Sequence, residues 1–509
     1  MSSGDIPQPV ANQDGPPPPA SAPPAQPAYP GYPAYPVYPV SGYPAAAQPV
    51  SGYPVSAYPV SGYPVSGYPY PVSGYPVAPM VPVAPRRSRW QLVVNLVAVF
   101  VIVVAGLVAV GYEQVAGGSY ATWVRGEGVG DPPPGAFESD KVWTDWARRS
   151  VSLSLEFQAS SLLKGDEKGY LAAADPDNAA LVADLGNRFE VLHAMAPGVW
   201  KQAITGGFAA NGSRRWRADI RTSYCFGPPT CSTVQLVASS EWGVKGNRVV
   251  LTKLGTTEKK WNGPRPWETD LLTIATGDRV IMGAAKSSAW RLTDGIEYAD
   301  RAAKVADQFA QWDDPPSRYV AFFAGPNEWS KWYGDAQPEW AAAWAVPVSS
   351  VVTEVVVRAR GVRQVDLEFL LTHEFTHVAT LAGKRDGADA KAWWLIEGVA
   401  DYAAMLKTPV ADYDALEPTG SFVRNNWDGN PAVMPPGASS SDADAAARYG
   451  VAFLAVRRLA EKYTQAKMLS FFGRVVHDGH TAEQAAPAAL GKPWSTVRAD
   501  VTSYIRSVV

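Results

Sequence analysis

Residues 365–383 read VDLEFLLTHEFTHVATLAG, and residues 391–406 read KAWWLIEGVADYAAML. The first stretch has a helical pattern. It closes at Gly383 and is followed by Lys384 and Arg385, which are C-terminal signals of a helix. Within it, His373 and His377 stand four residues apart with Glu374 beside the first. Residues i and i+4 share a helix face, so both imidazoles can grip one ion. Glu374 lies one residue on, next to that ion without binding it, where it can act on a water the ion activates. The chain holds five histidines in 509 residues. At that frequency HExxH arises by chance about 0.002 times, so coincidence is a poor explanation.

Two imidazoles do not complete a catalytic zinc site, which takes three protein ligands and leaves a position for water. Glu397 stands twenty residues after His377 and supplies a carboxylate from a second helix. Asp401 follows four residues later on the same face, placed to accept a hydrogen bond from a ligand imidazole and fix its tautomer. The neighbouring WWLI says that this helix is buried, and a buried carboxylate needs a partner.

HEFTH followed by EGVAD resembles the gluzincin metallopeptidases, the thermolysin-like clan, and within it the peptidase MA-like group. The resemblance covers roughly residues 288–509. It implies that one zinc ion is held by His373, His377 and Glu397, that Glu374 is the general base, and that Asp401 orients a ligand histidine. It also implies a donor to the oxyanion of the tetrahedral intermediate. The candidates are Tyr449, Tyr402, His477 and His480. The stretch AARYGVAFLAVRRLAEKY (446–463) resembles the later helix that carries such a tyrosine, which favours Tyr449. In VVHDGH (475–480) the two histidines lie near a helix C-terminus, where capping is the simpler role. The resemblance further implies that a sheet edge within Ala342–Arg360 holds an extended peptide by main-chain pairing.

Upstream of this unit the pattern changes. Helices are expected near Val142–Leu163 and Asn178–Met195, then strands at Trp216–Tyr224, Thr233–Trp242, Asn247–Leu254 and Leu271–Ile274. Helices followed by a strand meander indicate an α+β domain, taken as residues 140–287. Its opening, LEFQASSLLKGDEKGYLAAADPD (155–177), resembles NTF2-like domains. From 288 onward a helix is expected at Ile296–Trp312, strands at Arg318–Phe323, Ala342–Val348 and Val351–Arg360, and a short helix at Glu328–Tyr333. After Gly361 the chain reads as helical almost to its end, again an α+β layout. Cys225 and Cys231, in YCFGPPTC, are the only cysteines. The tight Gly-Pro-Pro turn favours a small disulfide loop over a metal site, which would need two further ligands.

The N-terminal part is a different polymer. Residues 1–85 hold 24 of the 45 prolines and 11 of the 23 tyrosines, with Asp5 and Asp14 as their only charges. Frequent proline removes backbone donors and fixes φ, so this stretch reads as a disordered, partly polyproline-like tail. It is either an interaction segment of unknown partner or a spacer. Residues 92–111, LVVNLVAVFVIVVAGLVAVG, carry no charge and are long enough to span a bilayer. A single transmembrane helix is therefore expected at residues 90–112. Arg86, Arg87 and Arg89 precede it and no Lys or Arg follows until Arg125. The positive-inside bias keeps the tail in the cytoplasm and places the later domains outside. Residues 113–139, Gly- and Pro-rich, read as a linker.

A formal net charge of −3 argues against a nucleic-acid binder, which needs a concentrated basic face. The sequence thus points to a membrane-anchored zinc peptidase acting on peptides or proteins outside the cytoplasm. Two alternatives stay open at this stage: a catalytically silent binding or assembly protein on the same scaffold, and a zinc hydrolase of a non-peptide substrate.

Overall fold

The computed structural model describes residues 131–334, 341–384, 390–437 and 439–509. The expected tail and the expected span at 90–112 lie outside the described residues. Among the described residues, no helix is long and apolar enough to cross a membrane.

The described chain is α+β and contains two sheets. Helices α1 (Asp140–Lys164) and α2 (Ala179–Ala194) come first. Ser139 caps the first, its hydroxyl accepting from Val142 N–H, and Gly165 closes it in the left-handed conformation. Next comes a four-stranded antiparallel meander of β1 (Pro197–Ala210), β2 (Arg215–Phe226), β3 (Val234–Lys245) and β4 (Arg248–Thr257). From Arg215 to Thr222, β2 alternates strictly between exposed and buried residues, the signature of a sheet with one face on a core.

The second sheet is built from β5 (Leu272–Thr276), β6 (Val280–Ala285), β7 (Tyr319–Ala324), β8 (Ala343–Pro347) and β9 (Thr353–Arg358). Its order is β5-β6-β7-β9-β8, with β6, β7 and β9 parallel and the two edges antiparallel. Both faces are covered. Val320, Phe322 and Val356 join the core shared with the first sheet. Tyr319, Ala321, Phe323, Val355 and Val357 join a second core, which includes residues of α3 (Leu292–Ala306) and α4 (Leu367–Thr380). Burying a side chain such as Phe322 stabilises the fold by roughly 1.5–3 kcal/mol. The chain after Gly361 is helical as expected. It comprises α4, α5 (Trp393–Ala404), α6 (Leu416–Asn425), α7 (Asp442–Tyr463), α8 (Gln465–Phe472), α9 (Ala482–Leu490) and α10 (Trp494–Val508).

Four features differ from the sequence reading. Strand β1 was not expected; its paired glycines interrupt the pattern, and the register slips between Thr205 and Phe208, where Gly206 takes φ +66°. Strand β6 is buried throughout, so it lacks alternation, and its Gly283 lies where a Cβ would sit 2.8 Å from Phe322. Because β5 and β6 pair within the second sheet, sheet membership changes between Thr257 and Leu272, ahead of the expected boundary at 287/288. The helix expected at Glu328–Tyr333 is a single turn, Pro326–Trp329, and Tyr333 takes φ +59°, which ends any continuation.

A polar group is buried between the sheets. Glu354 of β9, 1% exposed, accepts hydrogen bonds from the hydroxyls of Tyr224 on β2 (3.0 Å) and Tyr333 (2.5 Å). A buried carboxylate is tolerated when its oxygens are satisfied, and here the satisfaction ties one sheet to the other.

Candidate metal centre

Helix α4 runs beneath the second sheet with its last two turns wholly buried. Its threonines satisfy themselves. Thr372, Thr376 and Thr380 each donate to the carbonyl four residues back, at 2.7 Å in every case. That arrangement lets a polar THEFTH stretch occupy a core position without orphaned hydroxyls. Phe375 on the opposite side packs against Tyr319, ring centroids 4.6 Å apart.

Helix α5 crosses α4 and presents Glu397 to the two imidazoles. Gly398 permits its approach to α7, because a Cβ there would lie 2.4 Å from the Ala452 carbonyl oxygen. The glycine next to the carboxylate therefore sets how deep the carboxylate sits.

His373 Nε2, His377 Nε2 and Glu397 Oε2 converge on one point. The two nitrogens are 3.0 Å apart, and the carboxylate oxygen is 3.3 Å and 3.2 Å from them. The three residues are buried, and among the described residues they form the group suited to hold a metal ion. Ligand bonds of about 2.0–2.1 Å at tetrahedral angles put ligand atoms about 3.3 Å apart. The observed triangle is within a few tenths of an ångström of that value, so the residues present fit a zinc ion.

The remaining polar contacts support the same reading. His373 Nδ1 lies 2.6 Å from Asp401 Oδ1, so the imidazole donates there and turns Nε2 toward the triangle. The other Asp401 oxygen accepts from the Tyr413 hydroxyl at 2.6 Å. Glu374 is fully buried, and neither carboxylate oxygen has a hydrogen-bond partner among the described residues. An ionised carboxylate in such a place is costly without a partner. A cation and its water next to Glu374 would remove that cost.

The electrostatics follow from burial and the crowding of acids. Burial pushes the Glu374 carboxyl well above the usual range, and the Glu397 charge adds to this while His373 opposes it. Burial pulls His373 down, but the Asp401 and Glu397 carboxylates outweigh it and raise the group to about 10. Burial holds His377 below its ordinary value although both carboxylates push the other way.

The oxyanion candidates separate clearly. Tyr449 is buried beside the centre, its ring 6.4 Å from that of His373 and 5.0 Å from that of Trp393. Tyr402 packs edge-on against Phe309, and burial raises its hydroxyl pKa. His477 stacks on Trp312 with centroids 4.6 Å apart, and its Nε2 donates to Thr380 O at 2.7 Å, closing the end of α4. A π-turn at Gly473–His477 brings it there. His480 is exposed. His477 thus caps the end of α4, as expected, while His480 lies at the surface.

The structure adds Tyr413 to the residues expected from sequence. It stands twelve positions beyond Asp401 with no motif around it, so only the fold reveals its role. Cys225 and Cys231 are bonded to each other, with Cα atoms 6.1 Å apart. His193 stacks on Phe189, away from any cluster of ligands.

Compared with known proteins, the sequence matches no family model and no curated protein. The residues and their geometry therefore carry the functional reading.

Proposed function

We propose that this chain is a membrane-anchored, zinc-dependent metallopeptidase of the gluzincin type, hydrolysing peptide bonds outside the cytoplasm. The observation that carries the proposal is the His373–His377–Glu397 triangle with a buried, unpartnered carboxylate, Glu374, beside it. A zinc ion bound by the triangle supplies Lewis acidity and a water acidic enough to react near neutral pH.

The chain's own residues do the rest. Glu374 accepts a proton from the attacking water and later returns it to the leaving amine. Asp401 keeps the proton of His373 on Nδ1, and Tyr413 holds Asp401 in place. Tyr449, buried with its ring 6.4 Å from that of His373, donates to the oxyanion in this reading. The edge strand β8 offers its free main-chain groups to an extended substrate.

The anchor and topology belong to the same proposal. They rest on the uncharged stretch at 92–111 and on Arg86, Arg87 and Arg89 before it. The preceding domain, helices followed by a four-stranded meander, is proposed as NTF2-like.

Glu374→Gln tests the chemistry. It keeps the shape and removes the basic oxygen, so zinc content and folding survive while turnover falls at least ~10²–10⁴-fold. A Glu374→Gln protein with normal turnover would sink the mechanism. Peptide turnover by the wild type excludes a silent scaffold, and its absence alongside cleavage of another ester or amide would favour the non-peptide alternative. Protease added to intact cells degrades the domain bearing Cys225 and spares the tail; the reverse pattern overturns the orientation.

A further inference from the structure

A narrow crevice of about 30 Å³ opens beside His377, lined by Trp344 and Pro347 of the edge strand and by Val351, Thr353 and Ala382. The last three residues also line a larger cleft of about 370 Å³. The far wall of that cleft comes from the preceding domain: Cys225, Pro228, Thr230 and Cys231 of the disulfide loop. The segment Asp313–Arg318 closes it at one side. The two openings therefore share the β8–β9 hairpin as a wall, one beside His377 and the other between the domains. The size of the larger one falls within the range of pockets that enclose a ligand.

We infer that this cleft takes a further stretch of the peptide substrate, beyond the residues that pair with the sheet edge, and that it prefers Lys or Arg there. The inference rests on the peptidase reading above and adds the part of the substrate that the second domain recognises. A chain leaving the edge strand past Pro347 meets Val351 and Thr353 and then the disulfide loop, rising about 3.3 Å per residue if it stays extended. The charge of the cleft is uneven. Glu354 is buried under the Tyr224 and Tyr333 hydroxyls, and Arg318, which donates to the Gly277 carbonyl at 3.1 Å, keeps its positive charge at one side. Asp313 and Asp314 remain exposed at the rim and favour a cationic side chain. The loop is firmly seated. A Cβ on Gly227 would lie 2.4 Å from Ser317 Oγ, and one on Gly198 would strike the Gly227 carbonyl. The cleft wall is thus preformed, which lowers the ordering cost of binding.

The test uses the full-length, zinc-loaded Glu374→Gln protein, so that binding is read without turnover. Fluorescein-labelled dodecapeptide pools, one Lys-rich and one Glu-rich, are titrated by anisotropy beside hexapeptide pools of matching composition. The Lys-rich dodecapeptides bind roughly 10-fold or more tightly than the hexapeptides and than the Glu-rich pool, a gain on the order of one well-made subsite. Thr230→Trp, an exposed loop position whose new ring fills the cleft, lowers the ratio of long- to short-peptide affinity toward one. Asp313→Asn with Asp314→Asn narrows the Lys-over-Glu preference. A merely structural effect would weaken long and short peptides together and leave the ratio intact. Equal affinity for long and short pools, or a ratio unmoved by Thr230→Trp, overturns the inference. Long-peptide binding that responds to Thr230→Trp, in a protein whose wild type cleaves nothing, would uphold the cleft and refute the peptidase reading instead.

Discussion

Replacing Asp401 by Asn probes how the fold builds its ligand. Asp401 accepts two hydrogen bonds at 2.6 Å, from His373 Nδ1 and from the Tyr413 hydroxyl. Asn offers one acceptor oxygen and a donor amide. If the oxygen serves Tyr413, the amide faces His373 Nδ1 and favours the tautomer that protonates Nε2, the atom needed by the metal. If the oxygen serves His373, the Tyr413 hydroxyl meets an N–H and loses its acceptor. Loss of such an outer partner costs about 10–100-fold in metal affinity, or roughly 1.4–2.7 kcal/mol. The assay is competition for zinc against a chromophoric chelator, with Tyr413→Phe measured in parallel. Tyr413→Phe leaves the His373 contact in place, so its loss of zinc affinity is smaller than that of Asp401→Asn. It should still lose about 1.5–3 kcal/mol of folding stability, the worth of a hydrogen bond to a charged group. An Asp401→Asn protein with unchanged zinc affinity and unchanged folding stability would refute the argument that this carboxylate holds both His373 and Tyr413.

Gly398→Ala forces a Cβ to 2.4 Å from the Ala452 carbonyl, so the two helices must separate; thermal unfolding should show a loss of about 1–3 kcal/mol, with weaker zinc binding because Glu397 moves with the helix. Tyr449→Phe removes only a hydroxyl, and steady-state kinetics should show kcat reduced about 10²–10³-fold with KM little changed. Tyr170 is buried and its hydroxyl is raised to about 12 by burial, opposed by Arg188. The stability this group contributes is complete below the ordinary phenol value near pH 10 and disappears as pH rises through about 12, an effect of about 2–3 kcal/mol. Denaturant melts between those pH values should be flatter for Tyr170→Phe than for the wild type.

Much of the centre was legible because its logic is local. HExxH fixes two side chains on one helical face, and Glu397 and Asp401 repeat the same four-residue spacing on the next helix. The disulfide was legible for the same reason, a short loop with a tight turn. Tyr413 was not, because its hydroxyl reaches Asp401 only through the packing of α5 with the segment that follows it. The strand β6 and the sheet boundary escaped because a strand covered on both faces shows no period of two. The buried Glu354 pair with Tyr224 joins positions 130 residues apart and leaves no mark on local pattern. The histidines at 477 and 480 show how a ligand-type residue is sorted by its surroundings: a carbonyl for one and solvent for the other.

The most direct test of the account is to incubate the purified protein with a mixed peptide library and read the cut sites by mass spectrometry, untreated, after chelation, and after zinc is restored. The account predicts internal or terminal cleavage that chelation abolishes and zinc returns, and that His373→Ala cannot recover. Cleavage that survives complete chelation, or that His373→Ala carries out as fast as the wild type, would contradict it.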